Sequence, residues 1–281
     1  MKNNKVIKEY NYNLKRRIIA IVLLIIVVSI GGFVTYEKAT VNNTYYISEK
    51  NLQIPVFVYH DIVKEKSEVE YDYMQTTYDT FKSQINGLMD LGYKPISYQE
   101  LKDYSEGKIK LSKWSFVITF DDGYTGVYNY AYQFAKEKNI PMTSFLINDQ
   151  VGKSGFYTWE QAKEMNDSGL IGIYSHTYYH NKCDGMTGEE VVENVNKSYE
   201  EIEEKLEISN QLKVFTYPEG RYTKETVDAL KNAGYMQNLT DNKVNMSNKL
   251  NIYSLHREYP LEDSVFKILL KTNYRIIRYR E

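Results

Sequence analysis

Two adjacent carboxylates, Asp121 and Asp122, stand in Thr119-Phe120-Asp121-Asp122-Gly123, directly after the apolar run Phe116-Val117-Ile118. Neighbouring acids at a strand's end repel each other and lose hydration unless a cation or donors sit close by. Successive strand residues face opposite sides, so the two acids can do different jobs. An Asp-Asp-Gly turn has the same composition, and the motif alone does not separate the two readings. His176 and His180 follow in Ser175-His176-Thr177-Tyr178-Tyr179-His180, again after a strand-like run, Leu170-Ile171-Gly172-Ile173-Tyr174. Two histidines at this spacing share a face if helical, or converge on an ion from a strand-to-loop turn. With one aspartate they make a two-His, one-carboxylate set that leaves a coordination position open for water. Hydrogen-bonded structural histidines are the ordinary alternative, but two of the chain's four histidines fall in this one segment.

Two further segments end apolar runs. In Phe215-Thr216-Tyr217-Pro218-Glu219-Gly220 the Pro and Gly bend the backbone and can present an amide N–H to a developing oxyanion. A plain strand-terminating turn reads the same way. In Val56-Phe57-Val58-Tyr59-His60-Asp61 the histidine can act as a general acid near neutrality, or be structural with Asp61 as its partner. Cys183, three residues past His180, is a conceivable soft ligand. A thiolate there would close the water position, so a loop without that role is expected.

Short apolar runs alternating with amphipathic stretches must position these groups, the pattern of βα units. Strands are expected at Pro55–Tyr59, Phe116–Phe120, Met142–Ile147, Leu170–Tyr174, Val214–Tyr217, Met236–Leu239 and, more weakly, Ile252–Leu255. Helical patterns cover Thr80–Leu91, Tyr98–Tyr104, Gly126–Lys138, Trp159–Asp167, Thr187–Leu206, Lys224–Asn232 and Asp263–Lys271. An α/β barrel and a doubly wound sheet both fit this order, and the length from Ile54 onward favours one barrel-sized domain.

The composition, 42% hydrophobic and 26% charged, is that of a folded chain. A single cysteine excludes an internal disulfide framework. The 28 tyrosines suit sugar rings, and suit strand faces equally well. Ile18 to Val34 carries no charge and spans about 26 Å as a helix, close to a membrane's hydrocarbon core once Thr35 and Tyr36 are added. Lys2, Lys5, Lys8, Lys15, Arg16 and Arg17 precede it against one acid, Glu9. The expectation is a cytoplasmic segment at 1–17, an uncleaved single-pass anchor at 18–36, a polar stalk at 37–53 and an extracellular catalytic domain at 54–281. Six of the 35 basic and one of the 37 acidic residues lie in 1–17, leaving −7 on the remainder. Nucleic acid is therefore excluded as a partner on charge, and a neutral or cationic substrate fits better.

Taken together, the motifs resemble those of the polysaccharide deacetylase family with the NodB homology domain, carbohydrate esterase family 4. TFDDG, SHTYYH and FTYPEG occur in the family's order, and Tyr157-Thr158-Trp159-Glu160-Gln161 through Gly169-Leu170-Ile171 resembles the segment ahead of its histidine motif. The resemblance covers roughly Pro55 to Arg257. It implies an α/β fold, a distorted (β/α)7-type barrel with its site at the strands' C-terminal ends. It also implies Asp121 as catalytic base, and Asp122, His176 and His180 as ligands of one divalent metal, commonly zinc. The Glu219 backbone amide then lines the oxyanion hole.

The chain departs from the family where Thr216 replaces the Arg that orients the base and Glu219 replaces an aromatic residue; no tryptophan follows Trp159. Arg257 and Arg221 are the candidates to orient Asp121. The non-Arg Tyr217-Pro218 segment, as substrate contacts, and the strand-end Tyr59-His60 resemble the subgroup acting on poly-N-acetylglucosamine, which implies His60 as general acid. His256, in Ser254-Leu255-His256-Arg257, is the alternative acid. The implied reaction is metal-assisted hydrolysis of acetamides on an extracellular N-acetylated polysaccharide. Peptidoglycan deacetylation, or a catalytically inactive sugar-binding protein on the same fold, are the competing readings. A glycosidase fits poorly, because its carboxyl pair must flank the scissile bond. The partners implied are the polysaccharide and, through the N-terminal helix, the membrane; no protein partner follows.

Overall fold

The computed structural model describes residues 54–70, 74–112, 114–239, 245 and 250–278. The expected cytoplasmic segment, anchor and stalk lie outside the described residues, among which no helix is long and apolar enough to cross a membrane.

Seven parallel strands close into a ring: β1 (Val56–Tyr59), β5 (Ser115–Phe120), β6 (Met142–Leu146), β7 (Ile171–Ser175), β8 (Val214–Thr216), β9 (Met236–Leu239) and β10 (Leu255–Glu258). Each pairs with the next, and β1 closes the circle by pairing with both β5 and β10. Apart from β9 and β10, the strands read as largely apolar runs because helices cover the outside while side chains fill the inside. Three short strands lie off the ring: β2 (Asp61–Val63) pairs with β3 (Gln75–Thr77), and β4 (Lys94–Pro95) abuts the start of β5.

The helices are α1 (Tyr78–Asp90), α2 (Tyr98–Ser105), α3 (Tyr132–Lys138), α4 (Trp159–Asp167), α5 (Gly188–Leu206), α6 (Lys224–Asn232) and α7 (Val265–Arg278). Local chemistry sets where several begin. Ser97 with Glu100, Thr158 with Gln161, Thr187 with Glu190 and Thr223 with Thr226 form reciprocal caps that satisfy otherwise orphaned N–H groups. In α1, Phe81, Ile85 and Leu88 form the buried stripe, and each such side chain contributes about 1.5–3 kcal/mol by leaving water.

The expected strand at Ile252–Leu255 runs three residues later in the structure, as Leu255–Glu258. The expected helix from Gly126 opens with a wider π-helical turn over Val127–Ala131 before α3. Gly126 is obligatory there: a Cβ would sit 2.1 Å from the Ile62 carbonyl oxygen. The ring brings the carboxyl ends of its strands to one rim, where the motif residues gather.

Candidate functional site

A cavity of about 500 Å³ opens at that rim. Its walls include His60 after β1, Asp121 and Asp122 after β5, His176 and His180 after β7, and Arg257 on β10.

Left-handed backbone at three non-glycine residues, Asp122 (φ 72°), Thr177 (φ 67°) and His180 (φ 57°), turns the chain sharply at the strand ends. Such conformations cost about 1–3 kcal/mol each and persist only where the surroundings enforce them. They bring ligand atoms of Asp122, His176 and His180 within 4.8 Å of one another. Asp122 Oδ1 lies 3.4 Å from His176 Nε2 and 3.5 Å from His180 Nε2. These separations are long for hydrogen bonds, and Oδ1 is a buried oxygen with no hydrogen-bond partner among the described residues.

The imidazoles are prepared to accept rather than donate. His176 Nδ1 lies 2.9 Å from the Thr216 carbonyl oxygen, which assigns its proton to Nδ1 and leaves the Nε2 lone pair facing Asp122. Burial lowers His176 to about 3 and lowers His180 as well, so both rings are neutral near pH 7. Burial, reinforced by the Asp121 charge, raises Asp122 to about 7. An orphaned carboxylate oxygen facing two neutral nitrogen donors fits a divalent cation such as zinc.

Asp121 has the opposite environment. Burial would raise its pKa, but the Arg257 guanidinium overrides this and holds it at about 2. Arg257 Nη1 and Nη2 donate to Asp121 Oδ1 and Oδ2, each at 2.7 Å. Two carboxylates one residue apart thus have proton affinities driven in opposite directions. Arg221, the other candidate for this role, pairs instead with Asp184 at 2.6 Å on the surface.

His60 lines the cavity and stacks on Tyr259, ring centroids 6.1 Å apart. Burial lowers its pKa, with Asp121 working the other way. Asp61 is not its partner, because that carboxylate is hydrogen-bonded by Gln75 and by the Gly126 and Ile62 amides. His256 is not among the cavity's lining residues. It precedes Arg257 on β10, so its side chain leaves the strand on the opposite face.

Glu219 lines the cavity with left-handed backbone (φ 54°). In its turn the Gly220 and Arg221 amides bond back to the Tyr217 and Pro218 carbonyls, and the Glu219 carboxylate meets Lys182 at 3.0 Å. Tyr217 contributes to the wall, but its hydroxyl turns inward to Gln237 Oε1 at 2.5 Å. Pro218 is buried in the turn and is not among the lining residues. Cys183 is buried in an apolar cluster with Val191, Val195 and Tyr217, outside the candidate ligand group.

A sequence profile described as polysaccharide deacetylase matches residues 108–237. A Bacillus subtilis (strain 168) protein assigned to the polysaccharide deacetylases, YxkH, is 30% identical over 79% of this chain and 76% of its own length. The chain belongs to the polysaccharide deacetylase family. It is accordingly a hydrolase of the class that cleaves N-acetyl amide bonds. The poly-β-1,6-N-acetyl-D-glucosamine N-deacetylase of Staphylococcus aureus (strain MSSA476) is 28% identical over 68% of this chain and 69% of its own. The structure of IcaB from Ammonifex degensii superposes with a TM-score of 0.66 at 28% identity, covering 78% of this chain and 97% of that one.

Within this deacetylase, Met74, Tyr259 and Leu261 also line the cavity, and none was singled out from sequence. Tyr259 sits just past β10, and correct placement of that strand is the signal that would have found it. Thr216 supplies its carbonyl to His176, and its buried hydroxyl has no hydrogen-bond partner among the described residues.

Proposed function

We propose that this deacetylase removes acetyl groups from a poly-N-acetylglucosamine-like polysaccharide, in a metal-dependent reaction outside the cell. The observation that carries the metal dependence is the partnerless Asp122 oxygen between two neutral imidazoles, beside an aspartate held anionic by Arg257. The relative from Staphylococcus aureus supports the polymer class. The uncharged run at 18–34 behind six basic residues supports a membrane anchor, with the N-terminus cytoplasmic and the barrel outside.

A divalent ion, zinc by family resemblance, would be held by Asp122, His176 and His180 and supplies Lewis acidity toward the acetyl carbonyl and the attacking water. Asp121, ionised across the physiological range, accepts the proton of that water as it adds to the carbonyl carbon. The Arg257 fork keeps the carboxylate aimed into the cavity. The Glu219 amide donates to the oxygen that gains negative charge. The imidazolium form of His60, which burial makes the minor form near pH 7, delivers a proton to the sugar nitrogen as the C–N bond breaks, and acetate and a free amine result.

The test is acetate release from defined N-acetylglucosamine oligomers by the full-length, metal-loaded protein, with a chelator control and peptidoglycan alongside. Chelator-sensitive release from the oligomers is expected. Release only from peptidoglycan would overturn the polymer assignment, and release that survives chelation would overturn metal dependence.

A further inference from the structure

Gln84, on α1, is a buried amide that none of the chemistry above uses. Its Oε1 accepts the Tyr59 hydroxyl at 2.8 Å, and its Nε2 donates to the Leu261 and Asp263 carbonyl oxygens, both at 2.8 Å. Two carbonyls at one end and a hydroxyl donor at the other leave the amide a single workable orientation. These partners belong to the two segments that meet at His60. Tyr59 is the residue immediately before it on β1, while Leu261 belongs to the segment whose Tyr259 ring stacks on the imidazole at an interplanar angle of 17°. Leu261 itself holds a left-handed backbone (φ 47°), a conformation a leucine keeps only under restraint. The Gln84 amide grips that residue's carbonyl. α1 also packs closely on the start of α7, which follows this segment: a Cβ on Gly87 would lie 2.5 Å from a Val265 methyl.

We infer that Gln84 is a positioning residue for His60: it joins the strand that carries the imidazole to the segment that covers it. This rests on the general-acid reading of His60 given above. Without the amide, the restraint on Leu261 is lost, Tyr259 leaves the imidazole, and delivery of the proton to the leaving amine suffers. Hydrolysis of a substrate whose leaving group needs no proton is spared.

Gln84→Met keeps side-chain length and removes the three hydrogen bonds. The full-length, metal-loaded protein is assayed on an N-acetylglucosamine oligomer and on 4-nitrophenyl acetate, whose phenolate departs unprotonated. His60→Asn sets the reference, with kcat on the amide falling at least ~100-fold and far less on the ester. Gln84→Met is expected to show the same one-sided fall, at least ~10-fold on the amide and in kcat rather than KM. Tyr59→Phe, which loses one hydroxyl, is expected to fall in the same direction by less, and it carries the test if Gln84→Met does not fold. Parallel losses on both substrates, or no loss, would overturn the inference while leaving the acid assignment standing. If His60→Asn shows no such split, the acid assignment itself fails and the role of Gln84 with it.

Discussion

Arg257 and Asp121 meet inside the barrel as a two-pronged ion pair, with each carboxylate oxygen 2.7 Å from its own guanidinium nitrogen. Neither side chain reaches solvent appreciably, at 1% and 2% exposure. The arginine comes from β10 and the aspartate follows β5, two strands that both pair with β1.

Arg257→Gln should therefore destabilise the protein by about 3–5 kcal/mol at about pH 7, because an unpaired carboxylate is left buried. The pH dependence follows from the direction of the shift. Asp121 is held at about 2 against an ordinary 3.8, so the pair's contribution is complete above the ordinary value and fades as pH falls toward the folded one. Urea unfolding of the metal-free proteins should show the full gap near neutrality and a narrower one at about pH 3. A gap that does not change with pH would mean that the pair is not what the substitution removes.

The motif side chains were legible in the sequence because each stands directly after an apolar run, and a parallel barrel delivers strand ends to one rim. What escaped was set by tertiary pairing. β10 carries His256, Arg257 and Glu258, which no local hydrophobic pattern marks as strand; Arg257 is buried because Asp121 awaits it across the ring. β2, β3 and β4 span two or three residues each, too short to show a period. The spacing of the histidine pair allows either a shared helical face or convergence from a strand-to-loop turn, and the left-handed turns at Thr177 and His180 that produce the second have no signature in those residue types. Gln84 was invisible for a similar reason, since its partners lie 25 positions before it and 177 and 179 after.

Asp121→Asn should lower acetate release by about 10²–10⁴-fold while leaving bound metal per chain unchanged. The proposed ligands are Asp122, His176 and His180, and none of them touches the substituted group through a hydrogen bond that the structure records. Near-normal turnover would remove Asp121 from its role as base. Loss of the metal with activity would place it among the ligands instead.

Cys183→Ala should retain its full complement of metal. The thiol is buried among apolar side chains, and burial, with Asp184 nearby, pushes its pKa up to about 12, far from the thiolate a metal site needs. The loss of one buried sulfur should cost about 1 kcal/mol in unfolding measurements. Metal analysis of the purified variant decides the matter, and a fall in metal per chain would make the cysteine a ligand.

Proton release on metal binding tests the electrostatics of the site most directly. In the ion-free protein Asp122 is raised to about 7 while His176 is lowered to about 3 and His180 is lowered too, all chiefly by burial. Between about pH 5 and about pH 6 the carboxyl therefore holds a proton that an incoming cation must displace, His176 holds almost none, and His180 holds less than a free imidazole would. Calorimetric titration with zinc in buffers of different ionisation enthalpy should give at least about one proton released per ion across that interval, with a shallower rise toward low pH than two free imidazoles would produce. Ordinary proton affinities would behave differently: an ionised aspartate would release nothing, and two protonated imidazoles would drive release toward about two as pH falls. A slope of that kind would show that burial does not control the three ligands in the way their geometry indicates.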